Sequence, residues 1–406
     1  MTLITSPASI LGSQSPKLKS LPPLSLYVHI PWCLKKCPYC DFNSHAIRGE
    51  GSQAPEEEYV AALIRDLEFA LQDVWGRRLS SVFFGGGTPS LFSAKAIDTI
   101  LTAVRTLLPL EHFAEVTLEA NPGTFETQKF ADFRAAGINR LSIGIQSFNA
   151  QHLKALGRVH DDQEAHRAVD IALKNFDNIN LDLMYALPGQ TLEEAQTDIE
   201  MACSLGVTHI SAYHLTLEPN TLFYRFPPNL PDDEQAAAMQ DMIEQTTASH
   251  QYRNYETSAF AQAGKESRHN MNYWLFGDYL GIGAGAHSKI SFSDKIVRQM
   301  RTKQPKEYLA KANAVESLIQ TQQILTPADR GFEFMMNALR LTGGFETAMF
   351  RERTGLTITA VQKQLDEAEQ RGLLVHDHHR IKPTVLGRRF LNDLLQLFLP
   401  EPPNPE

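Results

Sequence analysis

The sequence predicts an α/β fold: a partial (β/α)6 barrel followed by a smaller, mostly helical C-terminal domain of winged-helix outline. Three observations lead there. Six short β-branched or apolar runs alternate with amphipathic helical stretches between residues 24 and 213. Strands joined through helices form right-handed β-α-β units and a parallel sheet, and six units fall short of the eight that close a barrel. Beyond Thr302 the alternation stops, and helices, glycine stops and one hairpin pattern follow.

Residues 1–23 are rich in Ser, Pro and Leu and are expected to be a poorly ordered lead. The predicted strands are 24–30, 81–84, 115–119, 140–145, 178–184 and 207–213, with helices between them such as 56–74 and 163–175. In the first helix Tyr59, Leu63, Leu67 and Leu71 recur every fourth residue, so one stripe faces inward. Pro227, Pro228 and Pro231 then break the chain before a helix at 232–250. Residues 252–260, 269–274 and 281–288 predict an extension of the sheet with loops along the barrel side. Residues 303–325 are polar and predicted helical. Thr326-Pro327 opens a helix with an apolar body at 332–341, ended by Gly343-Gly344. Helices at 346–354 and 359–371, a hairpin pairing 373–375 with 380–383, and a last helix at 386–399 complete the chain. The expected boundaries are 1–23 for the lead, 24–302 for the barrel, 303–400 for the C-terminal domain and 401–406 for a tail.

The totals narrow the function. The chain has 406 residues, room for one large domain and a smaller one, and a 43% hydrophobic share suits a substantial core. A net charge of −9 argues against nucleic acid as the partner. Asp366, Glu367 and Glu369 also make the second helix of the winged-helix pattern acidic over its last turns, which suits partner docking or covering of the active site better than groove reading. No apolar run approaches the ~18 residues that span a bilayer. The N-terminus lacks the basic and apolar regions of a secretory signal. With few cysteines, and those needing to be reduced, the expected location is the cytoplasm.

Cys33, Cys37 and Cys40 fall within eight residues as C-x3-C-x2-C, while Cys203 is remote. A structural zinc site fills four positions. Three thiolates suit a four-iron cluster with one iron left open. A zinc site completed by His29 or His45, and a reduced cluster of no function, are the alternatives.

In parallel barrels the chemistry sits at the C-terminal strand ends. The second strand ends in Gly85-Gly86-Gly87-Thr88-Pro89, where glycines allow close backbone approach and can present N–H groups to a ligand. No Gly-Lys-Ser/Thr follows, so this is no nucleotide P-loop; a plain tight turn is the alternative. Glu119, Gln146 and Asp182 each place a polar side chain among apolar neighbours at a strand end, and Arg158 follows Gln146 by twelve residues. Their alternative is internal hydrogen bonding at the barrel mouth. Farther on, His269-Asn-Met-Asn-Tyr-Trp274 places His269 over Tyr273 and Asn270 over Trp274 if helical. Imidazole and phenolate are both haem ligands, although a packed surface patch has the same composition. Gly281-Ile-Gly-Ala-Gly-Ala-His-Ser288 is a second glycine-rich loop.

Tyr27-Val-His-Ile-Pro-Trp-Cys33, the cysteine motif with Tyr39 before its last cysteine, and Asp41-Phe-Asn-Ser-His45 together resemble the radical S-adenosylmethionine superfamily. Within it they look like the branch of oxygen-independent coproporphyrinogen oxidases (HemN) and haem chaperones (HemW). The resemblance covers residues 24–400. It implies a [4Fe-4S] cluster on Cys33, Cys37 and Cys40. It implies S-adenosylmethionine held by Tyr27, Tyr39, Gly86, Gly87, Thr88, Glu119, Gln146, Arg158 and Asp182, and reductive cleavage of that cofactor to a 5′-deoxyadenosyl radical. The loop at 281–288 would lie by its adenine. The H-N-x-x-Y-W pattern implies haem contact at His269, Asn270, Tyr273 and Trp274. HemN continues with another cysteine where this chain has Phe42, and only 26 residues precede Tyr27. Both departures favour the haem-chaperone side: haem as cargo, passed to acceptor haemoproteins, among them membrane-bound respiratory enzymes. The alternative is coproporphyrinogen III oxidation to the vinyl product.

Overall fold

The computed structural model describes residues 17–47, 53–124 and 127–400. Residues 1–16 of the expected lead and the expected tail at 401–406 lie outside the described residues. Residues 17–23 are tied down: Leu18 N donates to Ser293 O at 3.3 Å, and Arg77 Nη2 donates to Pro22 O.

Twelve strands make the main sheet among the described residues. They are β1 Leu24–Ile30, β2 Leu79–Gly86, β3 Leu110–Ala120, β4 Arg140–Gln146, β5 Ile179–Tyr185, β6 His209–His214, β7 Arg253–Glu256, β8 Ala259–Ala261, β9 Asp278–Ile282, β10 His287–Ser291, β11 Ile296–Arg301 and β12 Ile319–Ile324. Their spatial order is β12-β11-β10-β9-β1-β2-β3-β4-β5-β6-β8-β7. The six predicted strands form in chain order and pair in parallel, giving the (β/α)6 half-barrel. β9 adds a seventh parallel strand on the other side of β1. The sequence hid it because no full-length helix precedes it, only the seven-residue Arg268–Trp274.

Alternation along these strands explains the barrel. Successive side chains point to opposite faces. Leu24, Leu26, Val28 and Ile30 of β1 face the helices and are buried, as are Val82, Phe84, Leu118, Leu141, Ile143 and Leu181. The other face carries Ser25, Ser81, Thr117, Ser142, Asn180 and Ser211, all buried and polar. Helix α1 (Glu56–Val74) covers the apolar face with Tyr59, Leu63 and Leu67 fully buried and Leu71 partly so. Helices α2 (Ala94–Leu107), α3 (Thr127–Ala136), α4 (Asp162–Asn175) and α5 (Leu192–Ser204) repeat the arrangement, and α6 (Asp233–Ser249) packs against α5.

Asp66, on α1, joins this layer to the strand extension. Its Oδ1 accepts from Arg301 Nε at 2.8 Å, and its Oδ2 accepts from Tyr308 Oη at 2.9 Å and Gly283 N at 3.0 Å. Asp66 and Arg301 are 0% and 1% exposed.

Two expected helices are corrected. Residues 303–325 give the helix Pro305–Asn313 and then edge strand β12, paired with β11. The strand's side chains are almost all exposed, so its polarity masked it. The main sheet therefore runs past the boundary expected after residue 302. The helix expected at 386–399 breaks at Phe390 into Val385–Arg389 and Leu391–Gln396.

The C-terminal part has its own core around Phe334, Phe345, Phe350, Leu365, Ile381 and Leu394, joined by Phe276 and Ile296 from the barrel side. Helix Pro327–Ala338 starts with a capping box between Thr326 and Asp329. Helices Thr347–Thr354 and Gln362–Gln370 follow, and Leu374–His376 pairs antiparallel with Arg380–Pro383 as a wing.

Removing the carboxylate in Asp66→Ala leaves the Arg301 guanidinium buried without its counter-charge, which costs about 3–5 kcal/mol. Urea unfolding followed by circular dichroism measures it, and a loss below about 1 kcal/mol would show that Asp66 does not hold this junction.

Candidate functional site

β1 runs straight into the cysteine loop. Trp32–Cys33 pairs with His45–Ala46 as a two-stranded ribbon, and His45 N donates to Pro31 O at 2.7 Å. Asn43 pins the loop to the rest of the barrel. Its Nδ2 donates to Ala284 O and Lys303 O, both at 2.9 Å, and its carbonyl accepts from His29 Nε2 at 2.9 Å. With Nε2 donating, neutral His29 accepts at Nδ1 from Tyr27 Oη, 3.1 Å away. Burial pushes the His29 imidazole down to about 4, which keeps it neutral.

The glycines of the second strand end serve this loop. Gly87 N donates to Ile30 O and Thr88 N to Trp32 O, both at 2.8 Å, while Gly86 N donates to Glu119 Oε2 at 3.2 Å. These three N–H groups are bonded within the protein, not presented to a ligand as the sequence suggested. A Cβ on Gly87 would lie 2.5 Å from Trp32 O, and one on Gly86, at φ +113°, would strike the His29 ring. Glycine is needed here for contact between strand and cysteine loop.

At the C-terminal ends of the parallel strands opens a cleft of about 370 Å³. It is lined by Cys33, Cys37 and Cys40 together with Tyr39, Gly86, Gly87, Thr88, Glu119, Gln146, Arg158 and Asp182. Tyr27 is the exception: it lies beneath the cleft with its ring stacked on Phe83 at 6.2 Å. The glycine-rich stretch at 281–288 also stays off the lining; it packs behind the cysteine loop, where a Cβ on Gly285 would strike the Asn43 amide. Phe42, 63% exposed, stands at the edge of the cleft.

The three cysteines are free thiols. His29 and His45 turn to Asn43, and among the described residues no three His, Cys, Asp or Glu groups converge to hold a single metal ion. With both imidazoles bonded to Asn43, neither stands beside the thiols as a fourth zinc ligand, and three thiols on an open cleft suit a larger group. Arg158 Nη1 lies 3.8 Å from Cys37 Sγ, and its Nη2 donates to Asn121 Oδ1 at 2.5 Å and Gly144 O at 2.7 Å. Its Nε is buried with no hydrogen-bond partner. Across the cleft, burial pushes the Glu119 carboxyl up to about 8, and Asp182 nearby adds to the shift. Asp182 is also raised by burial, although Ser142 Oγ at 2.9 Å and Asn180 Nδ2 at 2.8 Å donate to it. Two carboxylates short of counter-charge on one side, and a guanidinium on the other, fit a ligand carrying both an ammonium and a carboxylate.

Sequence reasoning passed over Asn121, Tyr213 and His214, which also line the cleft. Asn121 Nδ2 donates to Thr88 Oγ1 at 2.8 Å, so it couples the glycine loop to Arg158. The Asn121-Pro122 pair directly after a strand was the available signal.

Helix α7 (Arg268–Trp274) carries the haem-type pattern and closes the opposite, N-terminal end of the barrel. Its first N–H groups, on Arg268 and His269, donate to Glu115 at 3.2 and 3.1 Å. His269 does stand over Tyr273, with ring centroids 4.9 Å apart. The shared surface expected for the pattern does not form. His269 is 1% exposed, its Nδ1 bonded to Ser81 Oγ at 2.9 Å and its Nε2 to Tyr273 Oη at 3.2 Å. Burial pushes the imidazole down to about 3. Trp274 lies instead against the Arg340 guanidinium at 4.4 Å, and Asn270 N donates to the capping Ser267 Oγ at 3.3 Å. Residues four apart share one face of this helix, and that face carries His269 onto the polar inner row of the barrel at Ser81, with Tyr273 beside it.

Glu119 gives a pH test. Its folded value, about 8, lies above its ordinary 4.5, so its contribution to stability is full below about 4.5 and is lost as pH climbs through about 8. Glu119→Gln stays neutral throughout and lacks that loss. Urea midpoints taken from about pH 5 to about pH 8 should fall more steeply for the native, ligand-free chain than for the variant; parallel profiles would rule the shift out.

Comparison with known proteins places the chain. Residues 27–202 match the Radical SAM superfamily, and residues 325–390 match the HemN C-terminal domain. The chain is 47% identical over 391 residues to the Heme chaperone HemW of Escherichia coli (strain K12), covering 94% of this chain and 99% of that protein. The Heme chaperone HemW of Bacillus subtilis (strain 168) is 33% identical over 384 residues, covering 93% and 99%. The solved structure of coproporphyrinogen III oxidase (HemN) from Escherichia coli matches with a TM-score of 0.79 over 93% of this chain and 90% of that one; at 23% identity this is a likeness of fold. With relatives aligned over nearly its whole length, and with the cysteine loop and half-barrel in place, the chain belongs to the HemW family of the radical SAM superfamily.

Proposed function

We propose that this protein binds haem as cargo and passes it to acceptor haemoproteins, with a [4Fe-4S] cluster on Cys33, Cys37 and Cys40 and S-adenosylmethionine beside it. The full-length identity to proteins named haem chaperones carries the reading. Phe42 supports it against coproporphyrinogen oxidation, since it stands where HemN-type sequences place a further cysteine.

The cleft supports the cofactor assignment residue by residue. Glu119 and Asp182 accept from an ammonium and from ribose hydroxyls. Arg158, locked by Asn121 and Gly144, offers its remaining donors to a carboxylate. Tyr39, with its ring 6.3 Å from Phe223, walls the cleft and excludes water. Bound there, the cluster and S-adenosylmethionine supply one-electron reduction of a sulfonium. The chain's own part is to orient the cofactor and hold Glu119 ready to ionise against its amino group.

Acceptors include membrane-bound respiratory enzymes, met from the cytoplasmic side. Among the described residues no helix is long and apolar enough to cross a membrane. The free cysteines suit a reducing compartment.

Cys33→Ala should abolish the iron–sulfur absorbance of the anaerobically reconstituted protein yet leave haem uptake within about twofold. Loss of both would mean that the cluster builds the haem site. The cluster-loaded protein, given coproporphyrinogen III, S-adenosylmethionine and a reductant, should form no vinyl porphyrin while a parallel sample takes up haem saturably. Sustained vinyl product would replace the chaperone reading with the oxidase.

A further inference from the structure

The cleft beside the cysteines, about 370 Å³, is taken up by the cofactor in the reading above. A larger cavity, about 1280 Å³, opens at the other end of the barrel between β7, helix α7 and the wing. Drug-sized ligands occupy pockets of about 300–1,000 Å³, so this one admits a macrocycle.

One wall is the face of α7 turned away from His269 and Tyr273. Arg268, Met271 and Leu275 recur at intervals of three and four and all line the cavity. The facing wall is the wing hairpin. Val375 and Lys382 are cross-strand partners there, and Arg380 shares the face of Lys382. Val375 is an apolar side chain left 52% exposed.

The charges of this cavity are unequal. Arg253 and Arg388 already pair with its two acids, Glu266 at 3.2 Å and Glu244 at 3.6 Å. Arg268, Arg380 and Lys382 are additional cations on a rim around apolar walls. Outside the cavity Arg268 Nη1 donates to Phe113 O, and its carboxylate partner is half-exposed Glu111 at 3.6 Å, a weak pair that an incoming carboxylate displaces easily. Apolar walls with a cationic rim match an amphipathic ligand whose carboxylates lie at one edge.

We propose that this groove is the haem site, with Met271, Leu275 and Val375 against the macrocycle and Arg268, Arg380 and Lys382 on its two propionates. The assignment rests on the haem reading above and places cargo and cofactor at opposite ends of the barrel. It also gives α7 its role in binding through Met271, which lies between the letters of the H-N-x-x-Y-W pattern, and through Arg268 and Leu275, which flank it.

The test titrates the full, cluster-loaded chain with haemin, and separately with protoporphyrin IX and its dimethyl ester, which lacks both carboxylates. The native protein should prefer the diacid to the diester at least about tenfold. Arg380→Glu with Lys382→Glu, both on the exposed face of the wing, should raise the haemin Kd about tenfold or more and erase that preference. Arg268→Glu, on the other wall, should act in the same direction, and His269→Gln should change the Kd by less than about twofold. Normal uptake by the native chain, with unchanged uptake by the wing and Arg268 variants, overturns the groove alone. Loss of haem in His269→Gln but not in those variants overturns it in favour of the barrel interior. A native chain that takes up no haem overturns the haem reading and this site with it.

Discussion

Alternation of side chains along the parallel strands is the constraint on which everything else rests. One face of β1 to β6 is apolar and buried under helices; the other is a polar row running through the barrel. Such a row is costly to bury unless its members bond to one another. They do so in networks such as Ser142, Asn180 and Asp182, or Ser25, Ser81 and His269. The same register that satisfies these groups in mid-barrel delivers Glu119, Gln146 and Asp182 to one mouth, where the two carboxyls find hydrogen bonds but little counter-charge. The unmet charge at the mouth therefore follows from the way the interior is built.

Trp32 packs the cysteine loop onto Tyr59 and Phe92, Tyr39 packs it onto Phe223, and polar contacts pin the rest. Asn43 reaches two carbonyls on separate segments, while its own carbonyl takes the His29 proton. Glycines at 86 and 87 let β2 press against the loop from the other side. Loop, strand end and the 281–288 segment thus form one clasp, and the glycine-rich stretches act as packing surfaces within it. This is why neither presents free backbone donors to the cleft.

The two ends of the barrel differ in kind. The C-terminal end is a confined cleft with opposed charges, suited to a small zwitterionic cofactor. The N-terminal end is sealed by α7, whose buried face completes the interior network and whose outer face meets the wing across a broad cationic groove. One short helix therefore does two jobs. His269 and Tyr273 close the barrel, and Arg268, Met271 and Leu275 line the groove.

By itself the sequence determined the half-barrel, the cysteine cluster and most of the cleft. Those signals are local: an apolar run between helical stripes, three thiols within eight residues, polar side chains at strand ends. It missed β12, whose exposed edge carries no apolar pattern, and β9, which lacks the usual preceding helix. It took the glycines as ligand-facing and His269 as surface-facing. Only the tertiary structure decided those points, because they depend on what lies across the barrel. Backbone atoms of Trp32 fill the space beside Gly87, and Ser81 takes the imidazole of a residue 188 positions away. The groove between α7 and the wing belongs to the same class, assembled from segments more than a hundred residues apart that local pattern cannot join.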